Sequence, residues 1–303
     1  MDLKPIFGFI FLLIVVFLLA MYWFVPFNSG YFSITSSPSN FSLDNNSDMQ
    51  FYSNMRFPES RISYRIEDCT LQKKEDIQRA FEFMEEKTIL DFYSVPTNEE
   101  IYVTCSSKNV RNENFLVAGE GGPTKSIVAG KFVVIFEGQI LLIKDSKCPE
   151  PLIAIHELLH VLGFNHSENR KNIMYPIISS TCNQELSSDM IDLINELYSI
   201  PSHSDLILKD ISASLNRRYL DIEATIWNYG FKDAPSSILK IYGNGKEIKS
   251  IEVSSMEIGE GRSISLSNIF VSQLNLEELE LEVEANFPEL DKENNRVILE
   301  IKK

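Results

Sequence analysis

The run HELLHVLGFNH, residues 156–166, restricts the fold more than any other stretch, and it holds three of the four histidines in the chain. The segment EPLIAIHELLHVLGF reads as a helix, with Pro151 near the first turn, where its missing N–H costs nothing. Gly163 is suited to a left-handed cap at the far end. On such a helix His156 and His160 are i and i+4, so both imidazoles project from one face about one turn apart. Gly163 can then turn the chain back and bring His166 to the same point from the opposite side. Three neutral nitrogens and one water make an open tetrahedral zinc site. Glu157, poorly placed as a third helical ligand, can take a proton from a water whose pKa such an ion lowers to roughly 7. A bare H-E-x-x-H also occurs in helices without metal. The longer H-E-x-x-H-x-x-G-x-x-H fixes five positions, which packing alone explains poorly. The fourth histidine, His203, falls in a linker and reads as a solvated side chain.

The balance of charge removes one class of partner. With a net charge of −15 and a pI near 4.8, the chain lacks the clustered Lys and Arg that nucleic acid requires. Residues 6–27, IFGFIFLLIVVFLLAMYWFVPF, carry no charge. As a helix they would span about 33 Å, close to the hydrocarbon thickness of a bilayer. The run is longer than the apolar core of a cleaved signal peptide, and bulky residues follow Ala20, so a retained membrane anchor is expected. Lys4 precedes the span and no Lys or Arg follows until Arg56, which favours the bulk of the chain outside. Four cysteines without a C-x-x-C pair agree with an oxidising compartment. Of three connectivities, Cys69–Cys105 and Cys148–Cys182 each bracket one structural unit and are expected; the alternative is four buried thiols.

Beyond the anchor, residues 28–50 are rich in Ser and Asn and read as a flexible stalk, with N-x-S sequons at Asn40 and Asn45. RISYRIED (61–68) alternates as a strand, residues 70–93 have helical spacing with Thr70 as N-cap, and EIYVTCS (100–106) returns to strand. β-rich segments continue to Lys144. Residues 187–199 predict a last helix, capped by Ser187 or Ser188, with a stripe at Met190, Ile191, Ile194, Leu197 and Tyr198. From residue 204 the period becomes two, and Asn244-Gly245 marks a hairpin. Six or seven short strands in about 100 residues predict a β-sandwich.

With HELLHVLGFNH, NIMYP (172–176) and LSSDMIDLINELY (186–198) in view, residues 55–200 resemble the matrixins within the metzincin metalloproteases. The resemblance implies that His156, His160 and His166 bind Zn2+, that Glu157 is the general base and acid, and that Met174 forms the Met-turn eight residues after His166. It implies a protein or peptide substrate extended along an edge strand within residues 115–135. Pro176, Ile177 and Ile178 would wall an apolar pocket just past the scissile bond. The chain has no histidine before His156, so the additional zinc site of animal matrixins does not transfer, and no cysteine sits in a P-R-C-G-type switch. Tyr175 follows the Met-turn methionine by one residue rather than two and receives no catalytic role, and no clear calcium loop is present. Asn165 opens a sequon inside the ligand loop and is expected to be unmodified. More weakly, IEATIWNYGFKDAPSS (222–237) and EANFPELDKENNRVILEI (284–301) resemble the cell-adhesion-related CARDB β-sandwich.

The expected architecture is therefore α+β. An N-terminal transmembrane helix (1–27) and a stalk (28–50) precede a metzincin catalytic domain (51–202), a mixed twisted sheet with three main helices. An all-β immunoglobulin-like sandwich (203–303) follows. The implied function is a zinc endopeptidase at the outer face of a cell membrane, or secreted if the N-terminal segment is cleaved. A surface adhesion or scaffold protein that binds zinc without cutting is the alternative, and Glu157, which such degenerate forms often lose, discriminates the two.

Overall fold

In the computed structural model, residues 4–24, 30–36, 49–107, 111–112, 115–146, 148–178, 181–273 and 275–302 are described. In chain order the elements are α1 (Lys4–Phe24), β1 (Gly30–Ser36), β2 (Met55–Arg56), β3 (Arg61–Ile66), α2 (Leu71–Lys87), β4 (Asp91–Ser94) and β5 (Ile101–Cys105). Then come β6 (Arg111–Asn112), β7 (Phe115–Leu116), β8 (Gly119–Ala129), β9 (Phe132–Leu142), α3 (Leu152–Val161) and α4 (Ser188–Ser199). The C-terminal part holds β10 (Leu206–Asn216), β11 (Tyr219–Asn228), β12 (Ser237–Gly243), β13 (Lys246–Val253), β14 (Gly261–Phe270), β15 (Glu278–Glu284) and β16 (Arg296–Lys302).

The first sheet runs β2-β9-β5-β3-β4, with β8 added to β9. All its pairings are parallel except β8–β9. Its strands alternate apolar residues inward, and α2 buries Ile77, Ala80, Phe81 and Met84 against them. The helix expected over 70–93 stops at Lys87. Thr88 closes it by donating its N–H and hydroxyl to Met84 O, at 2.9 and 2.7 Å. Residues 91–94 pair with β3 instead, because Phe92 places its ring 4.8 Å from that of Phe81 in the core. Thr70 and Ser187 occupy N-cap positions without side-chain cap bonds. In α4 the buried face is Met190, Leu193, Ile194, Leu197 and Tyr198; Leu193 replaces the expected Ile191. Bridges Cys69–Cys105 and Cys148–Cys182 form, with Cα atoms 4.9 and 5.5 Å apart, and tie the entry of α2 to the end of β5 and the entry of α3 to the loop before α4.

The second sheet has the order β13-β12-β15-β16-β1-β10-β11-β14. Leu206, Leu208, Ile222 and Ile226 from one half share a core with Leu239, Ile241, Leu281 and Leu299 from the other. The sheet therefore folds over on itself as a sandwich, and β1 joins its halves by pairing with both β16 and β10. Within the stalk expected over 28–50, the described residues 30–36 and Gln50 are instead paired. Backbone pairing captures Gly30–Ser36, and Gln50 bridges to Phe164. Asn40 and Asn45 lie outside the described residues.

The apolar N-terminal run forms α1. Among the described residues, no helix is long and apolar enough to cross a membrane. The membrane span expected over residues 6–27 is thus not supported.

A third apolar cluster, Ala129, Phe132, Val134, Ile200, Phe231 and Ile258, joins the two domains. Arg56, 1% exposed, lies beside it. Its guanidinium donates to the carbonyls of Phe57, Leu197, Ile200 and Pro58 and sits 4.2 Å over the Phe231 ring. Burial pushes its pKa down, and four acceptors with an aromatic face offset that cost.

Candidate metal centre

All ten residues of α3 are buried, which glycines in the sheet make possible. A Cβ on Gly121 would stand 2.2 Å from Glu157 O, and one on Gly119 2.7 Å from Glu157 Cγ. A Cβ on Gly138 would stand 2.4 Å from Val161 Cγ1. The backbone of β8 can therefore press directly on the helix at Glu157. These glycines were missed at the sequence level, although the run GEGG within a strand is a signal for close backbone approach.

After Val161 the helix ends as the sequence suggests. Gly163 has φ +95°, and Phe164 N donates back to Leu159 O at 3.0 Å, the long bond of a Schellman cap. This turn places Phe164 O 2.8 Å from His160 Nδ1. His156 Nδ1 lies 2.7 Å from Ile173 O. A carbonyl only accepts, so both Nδ1 atoms carry the proton, and in the neutral rings both Nε2 atoms present bare lone pairs. Those Nε2 atoms are 3.1 Å apart, and His166 Nε2 is also 3.1 Å from His160 Nε2. The three ligand atoms lie within 4.8 Å of one another. Nitrogens about 2.0–2.1 Å from one tetrahedral zinc would be roughly 3.3 Å apart, so the spacing fits a shared ion. Burial lowers the pKa of all three rings, that of His160 to about 4 with help from His156, which keeps them neutral.

Met174 lines the same cavity as His166. It is 1% exposed, and its carbonyl accepts from Ser167 N at 2.9 Å, next to His166. Its neighbour Ile173 supplies the carbonyl that orients His156. Residues 173–174 and the three-histidine group are thus linked by hydrogen bonds. Phe51 stacks on the His160 ring at 5.7 Å, a contact that no local sequence signal marks. Glu157 is 5% exposed. Burial, and secondarily the charge of Glu120, pushes its carboxyl up to about 8. Glu157 stands outside the three-histidine group, beside it on α3.

Pro176 and Ile177 are exposed and Ile178 is half-buried; Gln184 Nε2 holds this segment by donating to Ile177 O at 3.1 Å. Tyr175 turns back through its N–H to Asn172 O. His203 takes no part in the centre and its carbonyl accepts from Phe231 N at the domain junction. Asn165 is exposed, and its Oδ1 accepts from His166 N at 2.8 Å.

A parallel sheet with one antiparallel edge strand, backed by helices and carrying three histidines from one helix and the loop behind it, defines a metzincin-type domain. Residues 56–199 match the matrixin family model and residues 203–298 the CARDB model. The chain thus carries a matrixin domain followed by a CARDB domain. Stromelysin-2 of Rattus norvegicus is 30% identical over 166 residues, covering 50% of this chain and 34% of its own length. Stromelysin-1 of the same organism is 26% identical over 186 residues, covering 50% and 35%. The chain spans about a third of the length of these curated relatives. Among solved structures, the CARDB domain of a Pyrococcus furiosus protein in complex with di-metal ions covers 32% of this chain and 92% of its own. Its identity is 19% and its TM-score 0.26.

Proposed function

We propose that this protein is a zinc-dependent endopeptidase acting on extracytoplasmic proteins or peptides. The observation that carries this reading is the pair of Nε2–Nε2 distances of 3.1 Å among rings whose outer nitrogens are already committed to carbonyls. His156, His160 and His166 would hold the ion, each through Nε2. When bound, zinc supplies Lewis-acid chemistry, polarising a peptide carbonyl and making water acidic enough to attack near neutral pH. Glu157 takes the proton of the attacking water and delivers it to the leaving amine. Its burial under Gly119 and Gly121 keeps bulk water from competing for that proton. The substrate lies along β8, which pairs on one side only, with β9. Pro176, Ile177 and Ile178 face the residue just past the scissile bond.

The reading extends to location. Two disulfides suit an oxidising compartment, which would put the domain outside the cytoplasm. The test is a peptide-library digest with the full chain, with and without a zinc chelator. Cleavage that the chelator abolishes and zinc restores is the expected result; no cleavage of any library member, with zinc bound, would favour the non-catalytic scaffold.

A further inference from the structure

The edge strand β8 does not end in solvent. Its residues Thr124–Val128 are exposed, and β8–β9 turns in two residues, Gly130 and Lys131, with Val128 opposite Val133. Val133 N donates away from β8, to Asn54 O at 3.4 Å. Val128 and Val133 are therefore a non-hydrogen-bonded pair, and the Val128 carbonyl faces the free edge. There it meets the second domain. A Cβ on Gly259 would stand 3.1 Å from Val128 O and 3.0 Å from Ile127 Cδ1.

The loop that carries Gly259 is firmly built. Gly259 has φ +73° and donates its N–H to Asn228 O at 2.8 Å. Asn228 is fully buried, and its Nδ2 donates to Lys232 O at 2.8 Å and to Met256 O and Glu257 O, both at 3.3 Å. Ile258 packs in the junction cluster with Ala129, Phe132 and Phe231. At the hairpin tip, a Cβ on Gly130 would stand 2.8 Å from the Tyr229 ring. Both the tip and the open edge of β8 are thus seated on the C-terminal sandwich.

We propose that the C-terminal sandwich is part of the substrate cleft: its loop 256–260 ends the open edge of β8 at Val128 and holds that edge in place. This rests on the peptidase reading above. The ligand it fits is the extended stretch of polypeptide preceding the scissile bond. From Gly121, against Glu157, to Val128 the edge runs about 23 Å at roughly 3.3 Å per residue. About seven residues ahead of the bond can lie on it before Gly259 turns the chain away.

The test uses the full chain with Gly259→Val. Gly245→Val is the control, since Gly245 has φ +74° with nothing within 4 Å and meets the same backbone strain without touching β8. Gly259→Ala is the milder form should valine unfold the domain. Two peptides share the residues around the cleaved bond, one with two residues ahead of it and one with seven. Gly259→Val should raise KM severalfold for the long peptide only, leave kcat unchanged, and speed amide exchange over residues 124–129 about tenfold. Gly245→Val should match the unaltered protein in both. Equal behaviour of the two variants in exchange and in KM would overturn the proposal. Exchange needs no hydrolysis, so a protein that cleaves neither peptide would fail the peptidase reading while the exchange result still decides whether the edge is held.

Discussion

His160 Nε2 lies 3.1 Å from His156 Nε2, and the Nδ1 proton of each ring is already given to a carbonyl. Two lone pairs facing each other at that distance repel unless a cation lies between them. His166 supplies the third corner at the same spacing from His160. His166→Ala should therefore weaken zinc binding by at least roughly 100-fold, the upper end of what loss of an outer-shell partner costs. Metal content after dialysis is the measurement; a full equivalent of zinc in the variant would remove His166 from the ligand set.

Glu157→Gln keeps the shape that fits under Gly119 and removes the proton acceptor. Turnover should fall by roughly 10²- to 10⁴-fold with zinc content unchanged. Near-normal kcat in the variant would show that another group moves the proton.

Gly121→Ala places a carbon 2.2 Å from Glu157 O, a backbone atom in the middle of a buried helix. The sheet and helix must separate to admit it, and overpacking of this kind costs roughly 1–3 kcal/mol or more. Denaturant unfolding should show that loss together with reduced activity. A variant as stable as the parent would mean that β8 and α3 do not pack this closely in solution.

Arg56→Met keeps the length of the side chain and removes both the donors to four carbonyls of the α+β domain and the cation over the Phe231 ring, which is the contact that crosses the domain junction. Stability should fall by about 3 kcal/mol, since each buried bond to a charged group contributes roughly 1.5–3 and they do not add fully. Calorimetry should then resolve two transitions where the parent shows one. A single transition at the parent's temperature would show that the apolar cluster around Phe231 suffices to couple the domains.

Elements whose signal is local could be read directly from the sequence. The i, i+4 spacing of His156 and His160, with Gly163 three residues on, sets the geometry of one helix and its cap whatever packs around them. Alternation in β10 and β11 likewise fixes which side chains turn inward. Where local and distant contacts compete, the distant ones win: helical spacing runs on through Ile89 and Phe92, but Phe92 joins β4 and packs against the Phe81 ring of α2.

The sequence by itself determined the three-histidine group, the break that folds His166 back, and the division into an α+β half and an all-β half, because each depends on residues a few positions apart. Only the tertiary structure decided which carbonyls orient the imidazoles, that Gly30–Ser36 closes the sandwich, and that Arg56 and Gly259 join it to the catalytic half. Those features join residues as distant in the chain as Tyr31 and Lys302, which pair across β1 and β16. No periodicity records such pairings, since they arise from the burial of surfaces that exist only once each half has folded.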